Sequence, residues 1–327
     1  MKAVRIHAFG KPPHGVLEDV LDPKPGHEDV IIDIEAAPVN YVDVVTSSGR
    51  YQFTPPLPYT PGKGPAGTIS EAGADVPLRP GDRVLGMAEY GGYAERVRVH
   101  RSQCYVLPGS LSCVDAAAMS LAFDTAWVAL SERGRLSKGE SVLVLGATGA
   151  VGSAAVQLAR AMGAGQILGA GTSPDRLVAE GHVDRAVDLG GQDLRESVRR
   201  QVMAATEGRG VDVIIDAVGG DAFDGAIRSL AWRGRLVIVG FAAGRIPSLK
   251  MNYPLLKNIE ISGLQISDYR KRAPDLMAQC FGEIFRFHQE GVITAPSSIT
   301  LPLNEWQHAM AMVDERTTVH RVLLTPG

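Results

Sequence analysis

The chain has 327 residues, 45% hydrophobic and 21% charged, with 36 acidic against 33 basic side chains and a formal charge of −3. That length exceeds one small core and predicts two domains, and the slightly acidic balance argues against an electrostatic nucleic-acid footprint. Three scattered cysteines, Cys104, Cys113 and Cys280, make neither a disulfide framework nor a structural zinc set, which fits a reducing cytoplasm.

In chain order, MKAVRIHAFG alternates like a strand and lacks the apolar core of a signal peptide. Short alternating runs follow at 30–34, 67–72, 83–86 and 95–99, with Pro-Gly turns at Pro25, Pro61 and Pro80. They predict an antiparallel β domain. From Leu121 the pattern changes to strand then helix. Strands are expected at 142–145, 166–169, 211–216, 236–239 and 259–263, and parallel strands need helical crossovers, so this block reads as a doubly wound sheet. The tail, with helices at 275–290 and 304–314 and strands at 298–302 and 320–325, is expected to return to the first domain. The expected domains are therefore 1–120, 121–265 and 266–327.

The most informative stretch is 141–160, SVLVLGATGAVGSAAVQLAR. A buried strand meets Ala147-x-Gly149-x-x-Gly152, and a helical pattern follows. This is a dinucleotide-binding fingerprint with alanine in place of its first glycine. Gly149 would let backbone approach a pyrophosphate, Gly152 would let the helix pack on its strand, and the helix start offers N–H groups and a positive dipole end. Residues 141–159 are uncharged and nearly long enough to span a bilayer. Three glycines, Gln157 and the strand-then-helix division favour a buried α/β core, and no membrane partner is expected.

Further motifs stand in order along nearly the whole chain: Val39-Asn40-Tyr41-Val42-Asp43, Ser48-Gly49-Arg50-Tyr51, Leu57-Pro58-Tyr59-Thr60-Pro61-Gly62, Gly81-Asp82-Arg83-Val84, Gly91-Gly92-Tyr93-Ala94-Glu95, Asp216-Ala217-Val218-Gly219-Gly220 and Gly234-Arg235-Leu236-Val237. Together they resemble the quinone oxidoreductase (zeta-crystallin-like) branch of the medium-chain dehydrogenase/reductase superfamily. The resemblance implies an α/β fold in which a Rossmann doubly wound parallel sheet is inserted in a GroES-like, mainly antiparallel β catalytic domain. It also implies a nicotinamide cofactor and a homodimer.

Zinc-dependent relatives place a cysteine where this chain has Asn40, a His-Glu pair where it has Lys63-Gly64, and a second cysteine at Leu121. With neither thiolate nor imidazole at those positions, no metal is expected. Without that Lewis acid, the resemblance implies hydride transfer to an activated small-molecule acceptor, a quinone or enone.

For the cofactor, the stretch 166–173 carries no acid to hold a ribose 2′-hydroxyl. Thr172 and Ser173 leave room for a 2′-phosphate, and Arg176 stands where NADPH-using relatives often have lysine, so NADPH is expected. The rival reading is that Ser173 and Pro174 start a helix and Arg176 is a surface residue. Carried over by position, Thr125, Thr148, Gly149, Ala150, Val151, Ala217, Val218, Gly240, Phe241 and Asn40 are cofactor contacts. Arg321 matches a lysine position that can reach the phosphates.

At the substrate end, Tyr51 resembles a tyrosine of enoyl reductases. A free phenol has a pKa of about 10, so a tyrosine here would donate a proton and not accept one. Its alternative is a half-buried aromatic, with water as donor. Asn40 would orient nicotinamide or substrate. Lys63 either stabilises a developing enolate or is a solvated loop lysine. Two other functions stay open: a double-bond reductase of enals or enoyl thioesters that ignores quinones, and a non-catalytic NADPH-binding protein with a structural or RNA-binding role.

Overall fold

The computed structural model describes residues 1–179 and 181–327. The chain divides into two units. The first comprises 1–121, 269–289 and 294–327, and the second 122–268 with 290–293.

In the first unit, β1 (Lys2–Ala8) and β2 (His14–Asp19) form an antiparallel pair. The main sheet takes β3 (Asp29–Pro38), β4 (Ala66–Ala72), β5 (Arg83–Gly86), β6 (Arg96–His100) and β7 (Cys104–Val106). Two short helices, α1 (Tyr41–Ser47) and α2 (Cys113–Met119), lie in its connections. In β3, Val30, Ile32 and Ile34 point into the core while Glu35 is exposed, which is the alternation of a half-buried strand.

The second unit opens with α3 (Ala122–Val128) and continues β8 (Ser141–Leu145), α4 (Ala150–Ala161), β9 (Gln166–Gly171), α5 (Pro174–Ala179) and β10 (Arg185–Asp188). It goes on through α6 (Leu194–Ala205), β11 (Val211–Asp216), α7 (Gly220–Ala226), β12 (Leu230–Ile238), α8 (Asn252–Lys257) and β13 (Glu260–Gly263). The strands form one parallel sheet in the order β10-β9-β8-β11-β12-β13. Every residue of β8 is buried, as expected for the central strand of a sheet covered on both faces. After α9 (Ile266–Arg272) the chain supplies α10 (Pro274–Gln289), β14 (Ser298–Pro302), α11 (Trp306–Asp314) and β15 (Arg321–Thr325). β14 pairs parallel to β15, and β15 antiparallel to β3, so the tail extends the first unit's sheet.

Three strands escape the sequence pattern, of which β7 is only three residues long. β10 has a buried Val187 but an exposed start, and β2 is mostly partly exposed, so neither shows an apolar run. β12 begins six residues before the expected 236 because its pairing with β11 is irregular between Val211 and Val213. No single helix among the described residues is long and apolar enough to cross a membrane.

Candidate functional site

In the second unit, β8 lies between β9 and β11. The chain leaves β8 to one side and later returns on the other, a reversal that opens a crevice above the strand ends. Gly146 turns the chain there with φ +76, a conformation that disfavours any side chain. Its N–H and that of Ala147 both donate to Ala170 O at 2.9 Å. The tight turn thus falls on Gly146, one residue before the alanine that replaces the fingerprint's first glycine.

A Cβ at Gly152 would stand 2.0 Å from Gly146 O, so α4 can seat on the turn only with glycine there. Gly149 is different. It is exposed, caps α4 from extended backbone, and a Cβ there would meet nothing nearer than 3.3 Å. The Gly149 N–H donates to Gly146 O at 2.9 Å, while Ala150 and Val151 present the first N–H groups of a twelve-residue helix at an exposed edge, a cradle suited to a pyrophosphate.

The neighbouring loops close on this turn. A Cβ at Gly171 would touch Thr148 Cγ2 at 3.4 Å, and one at Gly146 would meet Val218 Cγ2 at 2.9 Å. Thr172 and Ser173 are exposed just past β9, and Arg176 is half-buried on α5. Asp216, fully buried at the end of β11, accepts the Val218 and Gly219 N–H groups on Oδ1 at 2.8 Å each. Burial pushes that carboxyl up, against the pull of the two N–H groups. Ala217 O and Val218 O accept from Ala242 and Ala243 N–H at 3.1 and 2.9 Å. That laces the loop carrying Gly240 and the partly exposed Phe241 to the same strand end. Thr125 is buried on α3, its N–H bonded to Asp124 Oδ1 at 2.9 Å, and α3 packs on α4.

The first unit assembles a buried polar cluster. Pairing of Ala37 and Pro38 with Leu324 and Leu323 sets the end of β3 beside the start of β15. Asn40 and Arg321 therefore meet although 281 residues apart. Arg321 donates from Nη2 to Asn40 Oδ1 at 2.8 Å and from Nε to Ala118 O at 3.1 Å. These bonds tie it to Asn40 and to the end of α2. Burial lowers its pKa to about 10, against the pull of the Asp43 carboxylate. Because Arg321 can only donate, it fixes the polarity of the Asn40 amide, whose Nδ2 donates to Lys63 O at 3.4 Å.

Asn40 caps α1, and its N–H donates to Asp43 Oδ2 at 2.9 Å. Burial pushes the Asp43 carboxyl up to about 6, and Lys63, Asn40 and Arg321 pull against that shift. Tyr93, fully buried, donates to Asp43 Oδ2 at 3.5 Å, and burial raises its phenol well above the usual range.

The reading of Lys63 as a solvated loop residue is corrected. The loops at 60–62 and 91–93 zip together through Gly91, Gly92 and Tyr93 N–H bonds. Lys63 is thereby buried, with Nζ 2.7 Å from Glu89 Oε2. Arg270, fully buried, brings Nη1 to 4.0 Å from Glu89 Oε1. Glu89 and Arg270 were not singled out from the sequence, where Arg270 sits in the run Tyr269-Arg270-Lys271-Arg272 and looks like surface charge. Tyr51 stands in the bend after α1, half-buried, its ring edge-on to Phe53 at 6.3 Å.

Zinc does not fit the three positions that hold it in metal-dependent relatives. The Asn40 amide is bonded to Arg321, Lys63 is ion-paired, and Leu121 is apolar. Among the described residues, no group of three or more His, Cys, Asp or Glu side chains is placed to hold a metal.

Comparison with known proteins adds the following. Residues 26–109 match the alcohol dehydrogenase GroES-like domain, and residues 150–281 the family described as zinc-binding dehydrogenase. Quinone oxidoreductase-like protein 2 of Mus musculus is 34% identical over 93% of this chain and 87% of its own length. The quinone oxidoreductase of Pseudomonas syringae has a similar structure, with 25% identity, a TM-score of 0.90 and 99% of each chain covered. A mycobacterial protein solved in complex with NADPH is 26% identical, with a TM-score of 0.89 and all of each chain covered.

Proposed function

Since the chain belongs to the quinone oxidoreductase-like branch of the medium-chain dehydrogenase/reductase superfamily, we propose that it is a zinc-independent, NADPH-dependent reductase of quinones or other α,β-unsaturated carbonyl compounds. The observation that carries this reading is the turn from Gly146 to Gly152, which leaves room for an approaching pyrophosphate only on its exposed side. The mycobacterial relative solved with NADPH supports the choice of dinucleotide. So does the acid-free end of β9, where Thr172 and Ser173 would accept a 2′-phosphate and Arg176 would pair with it.

NADPH, when bound, supplies the hydride. The chain's own residues do the rest. The loops after β8, β9, β11 and β12 hold the dinucleotide, Thr125 and Asn40 serve its nicotinamide end, and Asn40 presents an amide whose polarity Arg321 has already set. Tyr51 donates the proton that completes reduction. We further propose a homodimer. β13 is the last strand of its sheet, and next to it in sequence α8 buries no residue, with Leu255 and Leu256 76% and 73% exposed.

The test is NADPH oxidation by metal-stripped protein against a panel of quinones, enones and enoyl thioesters. Activity on quinones and enones supports the reading. Activity on enals and enoyl thioesters alone replaces it with a double-bond reductase, and NADPH binding without turnover leaves a non-catalytic binder. Tyr51→Phe should lower kcat at least tenfold, roughly the low end for a general acid; unchanged turnover would assign the proton to water.

A further inference from the structure

The carboxyl of Asp216 lies fully buried at the end of β11, next to the apolar Ile214 and Ile215. Its two oxygens are used unequally. Oδ1 accepts the Val218 and Gly219 N–H groups at 2.8 Å each, while Oδ2 is buried and meets no hydrogen-bond partner among the described residues. The backbone carbonyl of the same residue accepts the Val239 and Gly240 N–H groups at 2.7 and 3.2 Å. One residue thus holds both the loop that leaves β11 and the loop that leaves β12. The two loops also seat on each other. Gly220 N–H donates to Arg245 O at 3.1 Å. A Cβ at Gly219 would stand 3.0 Å from Phe241 Cδ1, and one at Gly220 3.1 Å from Ala243 Cβ. Burying a carboxyl is costly unless its hydrogen bonds offset the loss of water, and here Oδ1 alone supplies the offset.

We infer that Asp216 is a positioning residue for the nicotinamide half of the cofactor: through Oδ1 and its own carbonyl it sets the β11 and β12 loops as one body. This rests on the NADPH reading above and deepens it. In the sheet, β9 lies on one side of β8, and β11 and β12 on the other. A dinucleotide with its pyrophosphate at the turn after β8 and its 2′-phosphate at Thr172, Ser173 and Arg176 therefore lays its other half across the loops that Asp216 holds. The side chain supplies a fixed acceptor and not a charge, since burial pushes the carboxyl up against the pull of the two N–H groups. An amide oxygen would serve the same two donors. A side chain without an acceptor would leave them unpaired.

The test measures the affinity of NADPH and of 2′,5′-ADP, the adenosine half with its 2′-phosphate, beside amide hydrogen exchange of the ligand-free protein. Asp216→Leu should weaken NADPH by about tenfold or more and leave 2′,5′-ADP within about threefold of wild type. Asp216→Asn, which keeps the acceptor, should restore NADPH to within about threefold. In Asp216→Leu, exchange should quicken at Val218 and Gly219 and also at Ala242 and Ala243 on the second loop. NADPH affinity unchanged in Asp216→Leu overturns the proposal. Equal losses on both ligands do so too, since Asp216 would then support the unit in general. So does Asp216→Asn binding as weakly as Asp216→Leu, or faster exchange confined to Val218 and Gly219. If Asp216→Leu does not fold, Gly219→Ala carries the contrast, because its methyl group presses on Phe241 and Arg245 and parts the same loops. It should weaken NADPH and spare 2′,5′-ADP, with equal losses again overturning the proposal. Wild type that binds neither ligand refutes the NADPH reading instead, and exchange in the Asp216 variants then still decides whether this residue holds both loops.

Discussion

Gly149 and Gly152 look equivalent in the fingerprint, yet the structure gives them different duties that mutation can separate. In Gly152→Ala the new methyl group would lie 2.0 Å from Gly146 O, 2.6 Å from Gly146 C and 2.8 Å from Ala147 Cα. All three are backbone atoms, so no rotamer change relieves the clash. To restore an ordinary contact, α4 must retreat by about 1.4 Å, which loosens the buried Ala154, Ala155 and Leu158 from the sheet. Overpacking of this kind costs about 1–3 kcal/mol, and a rigid partner puts it near the top of that range. The same retreat carries the helix N–H groups off the pyrophosphate, and losing one bond to a charged group, worth about 1.5–3 kcal/mol, weakens NADPH by about tenfold or more. Gly149→Ala places its methyl group no nearer than 3.3 Å to anything and keeps an extended backbone. Its stability should fall by less than about 1 kcal/mol, while NADPH affinity still drops because the methyl group faces the ligand. Urea unfolding followed by circular dichroism, with NADPH binding read by cofactor fluorescence, gives both quantities. A Gly152→Ala protein with wild-type midpoint and wild-type Kd would refute the seating argument, and so would equal destabilisation by the two substitutions.

Three further outcomes follow from the same geometry. Burial raises the Asp43 carboxyl from 3.8 to about 6, so the folded state holds this proton more tightly than the unfolded chain does. Its contribution to stability is greatest below about pH 4 and is lost as pH rises through about 6. Asp43→Asn should therefore gain on wild type between pH 4.5 and 7.5, by up to about 3 kcal/mol; a stability difference independent of pH over that interval contradicts the assignment. Arg176→Ala should reduce kcat/KM with NADPH by about tenfold and leave NADH within about twofold, the loss of one charge-assisted phosphate contact; parallel losses with both cofactors would return Arg176 to a surface role. Leu255→Glu, on the exposed α8, should convert a dimer into a monomer by light scattering, and a monomeric wild type removes the proposed interface.

What the sequence discloses depends on how far apart the determining residues lie. β8 announces itself because its residues are all buried, and Arg83–Gly86, Val211–Asp216 and Ser298–Pro302 are bounded by clear breaks in pattern. The nucleotide turn is legible for the same reason: strand, turn and helix are contiguous, and their glycines act on backbone a few residues away. Even there the turn itself falls on Gly146, outside the Ala147-x-Gly149-x-x-Gly152 pattern. Its φ of +76 follows from the bonds its N–H and that of Ala147 make to Ala170, a partner on the next strand.

The first unit's cluster obeys a different logic. Asn40 is the helix cap just after β3, and Arg321 opens β15; nothing local links them, and only the pairing of those two strands brings guanidinium to amide. Lys63 and Glu89 meet because two loops hydrogen-bond side by side, and Arg270 reaches them from a run of four residues containing three cations. Each of these charges, taken singly, has the usual expectation of a solvated side chain. Their burial becomes informative only as a set, because desolvating several ions at once is unfavourable unless the neighbours answer one another or a ligand completes them. Lys63 stands 2.7 Å from Glu89, and burial raises the Asp43 carboxyl to about 6. A buried set of this kind gains little net stability from its charges, because the cost of desolvating them offsets much of their attraction.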